Sequence, residues 1–384
     1  MSCANSDDLY QALQQRIDEL TSRVYSTTAS RVYGQSGSYT TNNVNNGAAP
    51  DPASGDSLYS PYDVAVDSSD GIYVADNSNC RVLYYASGST SASRVYGQDG
   101  SLWANICNSG GITPDSLNSP TGVALDSSGN LYVADAFNNR VLYYNSSSVS
   151  ASDVYGQFGD FTSGTANNLG LSEESLNVPY GVAIDSGGGL LVSDFNNYRV
   201  LYYNSSSVIA SQVYGQFGDF TTNTSNNGGV SPESLSTPYG VAFDSDDGIY
   251  VADGGNNRVL YYASGGPTSG TASRVYGQAG DFTTSTANNG GISADTLSTP
   301  IGVVVDSFGG LYVADAGNNR VLYYPSGSTT ATRVYGQFGD FTTNTANNGG
   351  VSGDSLYYPS GVEVDSNDGL YVADSTNNRV LYFY

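Results

Sequence analysis

Short apolar runs separated by turn-forming residues recur along the chain at a nearly constant interval. In the second repeat these runs are Gly122–Asp126, Leu131–Asp135 and Arg140–Tyr144. They are rich in β-branched and aromatic residues, and Gly, Asn, Asp and Ser fill the links between them, which predicts short strands and tight turns. The tetrapeptide Val-Tyr-Gly-Gln precedes the first trio and follows each of the first five, beginning at Val32, Val95, Val154, Val213, Val275 and Val334.

Each repeat therefore predicts four antiparallel strands in a meander, with no room for a crossover helix. A radial array of such four-stranded sheets is a β-propeller, here with six blades. A Leu-bearing turn such as Ser231–Leu235 precedes each first strand, and its Ser-Pro-Glu start has the pattern of a helix N-cap. We expect the Leu to fill the gap between blades.

The phase of the repeat predicts how the ring closes. The third strand of the sixth trio, Arg379–Phe383, has no fourth strand after it, whereas a surplus copy, Ser30–Gln35, stands before the first trio. Arg31, Val32 and Tyr33 are therefore expected to complete the last blade and remove its exposed edge. Insertion of this strand into a neighbouring molecule would instead give a head-to-tail polymer, but effective concentration favours closure within one chain.

The repeated phrase Pro-x-Gly-Val-Ala-x-Asp-Ser-x-Gly-x-Leu-Tyr-Val-Ala-Asp, followed by Asn-Asn-Arg-Val, resembles the NHL repeat family over about residues 31–384. The resemblance implies a six-bladed propeller spanning residues 30–384 and does not fix a function. Family members that bind RNA use basic faces, and the peptide-amidating lyase branch uses histidine-ligated metal. This chain has no His, and its charge is strongly acidic.

Residues 1–29 lie outside the predicted propeller. Leu9, Leu13, Ile17 and Leu20 form an apolar stripe at helical spacing, which predicts a short amphipathic helix. A helix of this length needs a surface to pack against. That surface is either the flank of its own propeller or a neighbouring subunit, so these four residues are candidates for self-assembly.

The charge balance narrows the range of partners. The chain carries 36 acidic against 12 basic residues, a formal net charge of −24, and every basic residue is Arg. Nucleic acid is excluded as a partner because its binding relies on basic groups at the phosphates. No apolar run approaches the length of a membrane span. Another protein, copies of the same chain, or a glycan remain as expected partners.

Cysteines and sequons point to an exterior location. Cys80 and Cys107 both depart from the repeat within one repeat unit and its exit loop, so we predict that they form a disulfide, with Cys3 free or paired between chains. The N-terminal residues do not resemble a signal peptide, so either the protein is cytosolic or a leader was removed beforehand. Candidate N-glycosylation sites, which fit an extracellular or cell-surface protein, are Asn145, Asn204 and Asn223.

The residues available for chemistry are almost all carboxylates. Without His or Lys, the usual nucleophile systems, zinc sites and Schiff-base chemistry are absent. One Asp ends every second strand and one Arg follows five residues later, and this sixfold repetition predicts a structural clasp rather than a catalytic pair. The pairs begin at Asp76, Asp135, Asp194, Asp253, Asp315 and Asp374.

Two other carboxylate positions could hold a cation or a proton. The Asp that ends each first strand, as in Asp67 and Asp126, is expected to initiate a β-turn, although nearby acids could bind Ca²⁺ weakly. Glu363 stands where the other first strands carry Ala or Val. If first strands line the central channel, Glu363 is a candidate metal ligand or base for a metal-dependent lyase or hydrolase.

The long loops after the fourth strands carry a recurrent Phe among Asn and Thr, at Phe161, Phe220, Phe282 and Phe341. Such rings could stack on sugars and give a multivalent glycan-binding propeller, although plugging of the loop is the expectation for Phe. No catalytic residue or cofactor is predicted. The sequence favours a non-enzymatic extracellular or cell-surface binding or scaffold protein that could self-assemble through its N-terminal segment.

Overall fold

The computed structural model describes residues 26–47, 53–264 and 270–384. The helix predicted within residues 1–29 and its stripe of Leu9, Leu13, Ile17 and Leu20 lie outside the described residues. None of the described segments forms a helix long and apolar enough to cross a membrane.

Within these described residues, twenty-four strands form six sheets of four antiparallel strands each. Blade 1 contains β2 (Pro61–Val66), β3 (Ile72–Asp76), β4 (Arg81–Tyr85) and β5 (Arg94–Tyr96). Blade 2 contains β6 (Pro120–Leu125), β7 (Leu131–Asp135), β8 (Arg140–Tyr144) and β9 (Asp153–Tyr155). Blade 3 contains β10 (Pro179–Ile184), β11 (Leu190–Asp194), β12 (Arg199–Tyr203) and β13 (Gln212–Tyr214).

The remaining blades repeat the pattern. Blade 4 contains β14 (Pro238–Phe243), β15 (Ile249–Asp253), β16 (Arg258–Tyr262) and β17 (Arg274–Tyr276). Blade 5 contains β18 (Pro300–Val305), β19 (Leu311–Asp315), β20 (Arg320–Tyr324) and β21 (Arg333–Tyr335). Blade 6 contains β22 (Pro359–Val364), β23 (Leu370–Asp374), β24 (Arg379–Phe383) and β1 (Arg31–Tyr33).

Single 3-10 turns are the helical elements of the described residues. Six of them link second to third strands, at Asn77–Asn79, Ala136–Asn138, Phe195–Asn197, Gly254–Asn256, Ala316–Asn318 and Ser375–Asn377. Three others lie in the long loops, at Gln35–Gly37, Val44–Gly47 and Gln98–Gly100. Ser231–Leu235 forms a turn, and the cap pattern predicted at Ser231 is present in it: the Glu233 N–H donates to Ser231 Oγ at 3.2 Å, and the Ser231 N–H donates to Ser234 Oγ at 3.0 Å.

The first and last parts of the described chain meet in blade 6, as predicted. Strand β1 pairs antiparallel with β24, with Arg31 opposite Tyr382, Val32 opposite Leu381 and Tyr33 opposite Val380. Val32 and Tyr33 are 3% and 1% exposed. The ring therefore closes within one chain, and the strand-exchange polymer is not the arrangement of this structure.

Apolar clusters fill the spaces between neighbouring blades. One cluster joins Tyr132 and Val141 of blade 2 to Leu190 and Leu201 of blade 3. The Leu of each turn before a first strand is fully buried between blades, as expected, at Leu58, Leu117, Leu176, Leu235, Leu297 and Leu356.

The disc has two faces. We call the side with the long loops and the links between second and third strands the loop face. The turns between first and second strands and between third and fourth strands form the opposite side, called the turn face. First strands start at the loop face, because Pro179 at the start of β10 pairs with Asp194 at the end of β11.

Candidate functional site

The first strands of all six blades surround an axial channel. On the loop-face side the channel narrows to a neck of about 40 Å³, and on the turn-face side it widens to a chamber of about 290 Å³. Tyr180 stands at the loop-face mouth, where its ring contacts Tyr62 at 5.5 Å and Tyr239 at 4.8 Å between centroids. The neck is thus aromatic at one end and leads into a more open chamber.

Glycine forms the neck because neighbouring first strands approach each other closely. A Cβ placed on Gly181 would lie 2.6 Å from the carbonyl oxygen of Tyr239 in the next blade. Asp63 takes the sixth position of this ring, and its Oδ2 accepts a hydrogen bond from the Val123 N–H at 3.0 Å. The sequence analysis did not single out Asp63, although an Asp among five equivalent glycines is visible in the repeat.

Asp63 and Glu363 both line the chamber and belong to adjacent blades. Burial raises the pKa of Glu363 to about 8, and the negative charge of Asp63 adds to this. Burial likewise raises the pKa of Asp63 to about 7. The channel therefore holds two carboxyl groups with raised pKa values, of which the sequence pointed to Glu363 alone, as a candidate metal ligand or base.

A metal ion does not fit these residues well. Within the described part of the chain, no group of three or more His, Cys, Asp or Glu side chains is arranged to hold one. One Glu363 oxygen already accepts the Val364 N–H at 3.0 Å. The arrangement suits retention of a proton more than coordination of a divalent cation.

The raised pKa of Glu363 gives a pH-dependent stability. The folded protein keeps the Glu363 proton up to about pH 8, whereas the unfolded chain loses it above about 4.5. Stability from this group is therefore lost as pH rises through that interval. We expect Glu363→Ala, which installs the residue of four other blades, to gain roughly 3 kcal/mol of stability relative to wild type as the pH rises from 5 to 8. Parallel pH profiles of urea unfolding for the two proteins would contradict this assignment.

The predicted Asp–Arg clasp is present in every blade and is fully buried. In blade 2, Arg140 Nε lies 2.7 Å from Asp135 Oδ2, and both side chains are 0% exposed. Asp135 also accepts the Asn118 N–H at 2.6 Å. Arg140 donates further to the carbonyl oxygens of Phe161, at 2.6 Å, and Ser116, at 2.9 Å. The clasp thus ties the long loops to the blade, and its charges are used structurally.

The turns after the first strands are also satisfied internally. Asp126 Oδ1 accepts the N–H groups of Ser128, at 2.9 Å, and Asn130, at 3.0 Å. This is the Asp-initiated turn expected from the sequence. The same oxygen therefore holds the turn together through two backbone N–H groups.

The recurrent loop Phe residues pack inward. Phe161, Phe220, Phe282 and Phe341 are partly buried and lie against the apolar clusters between blades. They act as plugs, as expected, and do not form a platform for sugars. A different set of rings is exposed on the loop face: Phe158 at 41%, Phe217 at 53% and Phe338 at 59%.

The Cys and Asn candidates fall at surface loops and turns. The structure joins Cys80 and Cys107 by a disulfide, with 5.1 Å between their Cα atoms. Asn145 and Asn204 are exposed in turns of the turn face, and Asn223 is exposed in a loop of the loop face. All three sequon side chains are therefore accessible to modification.

The loop face also exposes large apolar side chains where other repeats have small or polar ones. The exposed fractions are 69% for Trp103, 65% for Ile106, 61% for Phe137 and 85% for Leu169. The other described repeats carry Thr in place of Trp103, and Thr or Asn in place of Ile106. They carry Ser, Asn, Gly or Thr in place of Phe137, and Gly in place of Leu169. These four departures lie together in the sector of blades 1 to 3, and the sequence analysis missed them.

The family follows from six matched segments. The model of the NHL repeat matches residues 58–85, 117–142, 176–203, 235–262, 297–324 and 356–383, which is one match in each blade. The chain is an NHL-repeat β-propeller. No curated protein sequence matches it.

Solved structures share the fold of this NHL propeller at low identity. A streptogramin B lyase structure has a TM-score of 0.51 at 12% identity, covering 87% of this chain and 94% of its own. A protein of unknown function from Bacteroides thetaiotaomicron has a TM-score of 0.57 at 14% identity, with 93% and 75% covered. An auxiliary nutrient binding protein from Bacteroides ovatus has a TM-score of 0.57 at 11% identity, with 93% and 76% covered. At these identities the similarity concerns the fold alone, so function has to be argued from this chain's own surfaces.

Proposed function

We propose that this NHL propeller is a non-enzymatic extracellular or cell-surface binding module that recognises a protein partner through its loop face. The observation that carries the proposal is the concentration of exposed aromatic and aliphatic side chains on that face. Trp103 and Phe137 represent this group, at 69% and 61% exposed. Exposed apolar patches of this kind are typical of protein interfaces.

The sixfold repetition supports binding over catalysis. The repeated Asp and Arg residues are consumed in clasps such as Arg199 with Asp194, at 2.8 Å. Residues that break the repeat are not needed for the common fold, so they are the better candidates for function. On the loop face most of these residues are apolar. Apolar side chains contribute affinity but no proton transfer or nucleophile.

The exterior location rests on the disulfide and the sequons. Disulfides persist in oxidising compartments, and Cys80 and Cys107 are joined in this way. The exposed sequons at Asn145, Asn204 and Asn223 are compatible with glycosylation in the same compartment.

Self-assembly through the N-terminal segment is part of this proposal. Strand β1 is already used within its own ring, so assembly would depend on Leu9, Leu13, Ile17 and Leu20. Sedimentation velocity of the full chain should show an oligomer that dissociates when these four residues are changed to Ser. A wild-type chain that sediments as a monomer at high concentration would refute self-assembly and leave the binding proposal in place.

A second candidate function uses the channel. Asp63 and Glu363, whose pKa values are raised to about 7 and about 8, could act as proton donor and acceptor for a small substrate in the chamber. Because tyrosine rings stand at the loop-face mouth of the channel, the substrate would enter the chamber from the turn face. A compound that binds the chamber should suppress the pH dependence of the free energy of unfolding in the wild-type protein. It should have no such effect on Glu363→Ala.

The binding proposal is tested with a random peptide library panned on the immobilised full-length protein. Amide hydrogen exchange then locates the selected peptides. We expect protection in loop-face segments such as 98–117 and 157–176. Protection confined to the turn face, or a library from which nothing is enriched, would contradict the proposal.

A further inference from the structure

The sector of the loop face between blades 1 and 3 differs from the other sectors because it is more apolar. Small or polar residues of the repeat are replaced there by Trp103, Ile106, Phe137 and Leu169, which we call the apolar patch. All four side chains are more exposed than buried, at 69%, 65%, 61% and 85%. Single exposed apolar residues are common on protein surfaces, so these four are informative only if they belong to one continuous surface.

Hydrogen bonds connect the segments that carry the patch. Asn108, two residues after Ile106, donates to Asn138 Oδ1 at 2.9 Å, next to Phe137. Asn139 in turn donates to the carbonyl oxygen of Gly164 at 2.9 Å, in the loop that bears Leu169. The loop after blade 1, the turn of blade 2 and the loop after blade 2 thus form one continuous surface.

Leu169 extends this surface through Phe158. In the equivalent loops, a Cβ on Gly228 would lie 3.4 Å from the Phe217 ring, and one on Gly349 would lie 3.1 Å from the Phe338 ring. Leu169 occupies the equivalent position in its own loop, and Phe158 is the least exposed of the three rings, at 41%.

The backbone at Leu169 is held in an unfavourable conformation. Its φ is 59°, a left-handed value that costs a residue with a side chain about 1 kcal/mol and costs glycine little. The equivalent positions Gly110, Gly228, Gly290 and Gly349 are glycine at φ between 73° and 85°. Burial of the Leu169 side chain does not offset this cost, since the side chain is 85% exposed.

The disulfide fixes the loop that bears the other half of the patch. In blade 2 the Asn139 side chain donates a hydrogen bond to the following loop, and Asn257, Asn319 and Asn378 do the same in blades 4, 5 and 6. In blade 1 Cys80 takes this position and is bonded covalently to Cys107, directly after Ile106. A loop constrained in this way presents Trp103 and Ile106 with little ordering cost on binding.

The charge around the patch identifies the kind of partner. Asp99 and Asp160 are exposed in the two loops that carry it. Among the described arginines, six are buried in clasps. The other four begin fourth strands near the turn face, at Arg31, Arg94, Arg274 and Arg333. No described basic side chain therefore borders the patch. A second copy would bring the same acidic border, so self-recognition is disfavoured.

We propose that the apolar patch docks a partner protein whose contact surface combines apolar side chains with a Lys/Arg-rich rim. This inference rests on the proposed binding function and names the sector and the partner chemistry. Apolar anchors at the centre of such an interface supply most of the affinity, while the charged rim supplies orientation and rate.

The probe is the set of peptides selected from the random library on the wild-type protein. The patch variant combines Trp103→Thr, Ile106→Thr, Phe137→Asn and Leu169→Gly, all residues found at equivalent positions, so the fold should be kept. The matched control combines Phe217→Ala and Phe338→Ala, because Ala279 occupies that position in blade 4. Melting curves of both variants check that they are folded.

We expect selected peptides to be enriched in apolar residues together with Lys or Arg. They should bind the patch variant at least tenfold more weakly than wild type, and the control within about twofold. Peptides weakened only by the control changes would overturn this inference and leave loop-face binding intact. Peptides insensitive to both variants and located on the turn face, or no enrichment at all, would overturn both proposals. A wild-type dimer that the patch variant abolishes would show that a second copy occupies the patch, which would also overturn the inference.

Discussion

Removal of residues 1–35 should open the ring and lower the free energy of unfolding by roughly 5 kcal/mol. The deletion exposes the partners of Val32 and Tyr33, whose burial contributes about 1.5–3 kcal/mol each, and it removes the hydrogen bonds of a three-residue strand. It also leaves β24 as an unpaired edge, so the variant should associate at high concentration. Chemical unfolding followed by Trp103 and tyrosine fluorescence measures the first effect, and light scattering measures the second.

Two further variants isolate the contribution of the closing strand. Removal of residues 1–25 retains Arg31–Tyr33 and should unfold like the full chain. A permuted chain that starts at Ser36 and carries Ser30–Gln35 after Tyr384, joined by an eight-residue turn as between β8 and β9, should recover most of the lost stability. Equal stability of the two deletions would show that β1 does not hold the ring together.

Substitution of a single clasp arginine should be among the most damaging point changes. Arg199→Met leaves Asp194 as a buried charge without its partner and leaves the carbonyl oxygens of Phe220 and Ser175 without their donor. Removing one member of a buried ion pair costs about 3–5 kcal/mol. Differential scanning calorimetry and urea unfolding would measure this loss.

The clasp also makes a prediction about its double variant. Arg199→Met combined with Asp194→Leu removes both charges, and replacing a buried pair in this way is much less costly than breaking it. As a control, Arg274→Ala removes an arginine stacked 5.2 Å from the Tyr261 ring and should cost less than about 1 kcal/mol. A double variant less stable than Arg199→Met alone would argue against an ion pair at this position.

Sequence periodicity was sufficient for most of the fold. The strands, the blade count and the closing role of Arg31–Tyr33 were all predicted, because each repeat encodes the same turns and the same alternation. The clasp was predicted for the same reason: an Asp and an Arg at constant spacing in six copies have one structural explanation. The cap hydrogen bond at Ser231 is present as the pattern predicted, although the turn that it begins ends before a helix can form.

The candidate sites were harder to predict because they depend on departures from the repeat. Glu363 was identified, whereas Asp63 in the adjacent blade was not, although only the two together make the chamber acidic. Phe161 and its equivalents drew attention as aromatic residues, but their neighbours bury them. The exposure of Phe137 or Leu169 cannot be known before the fold shows which loop positions face solvent.

The central functional claim is that these departures, and not the repeated loops, make the binding surface. Because the blades are nearly identical, the patch can be moved. In the patch variant, the next sector would receive Thr162→Trp, Thr165→Ile, Asn196→Phe and Gly228→Leu, with Asn139→Cys and Ala166→Cys to reproduce the disulfide there. The affinity of the selected peptides for this transplanted protein is the decisive measurement. The account predicts recovery to within a few-fold of wild type, whereas a folded protein that still fails to bind them would contradict it.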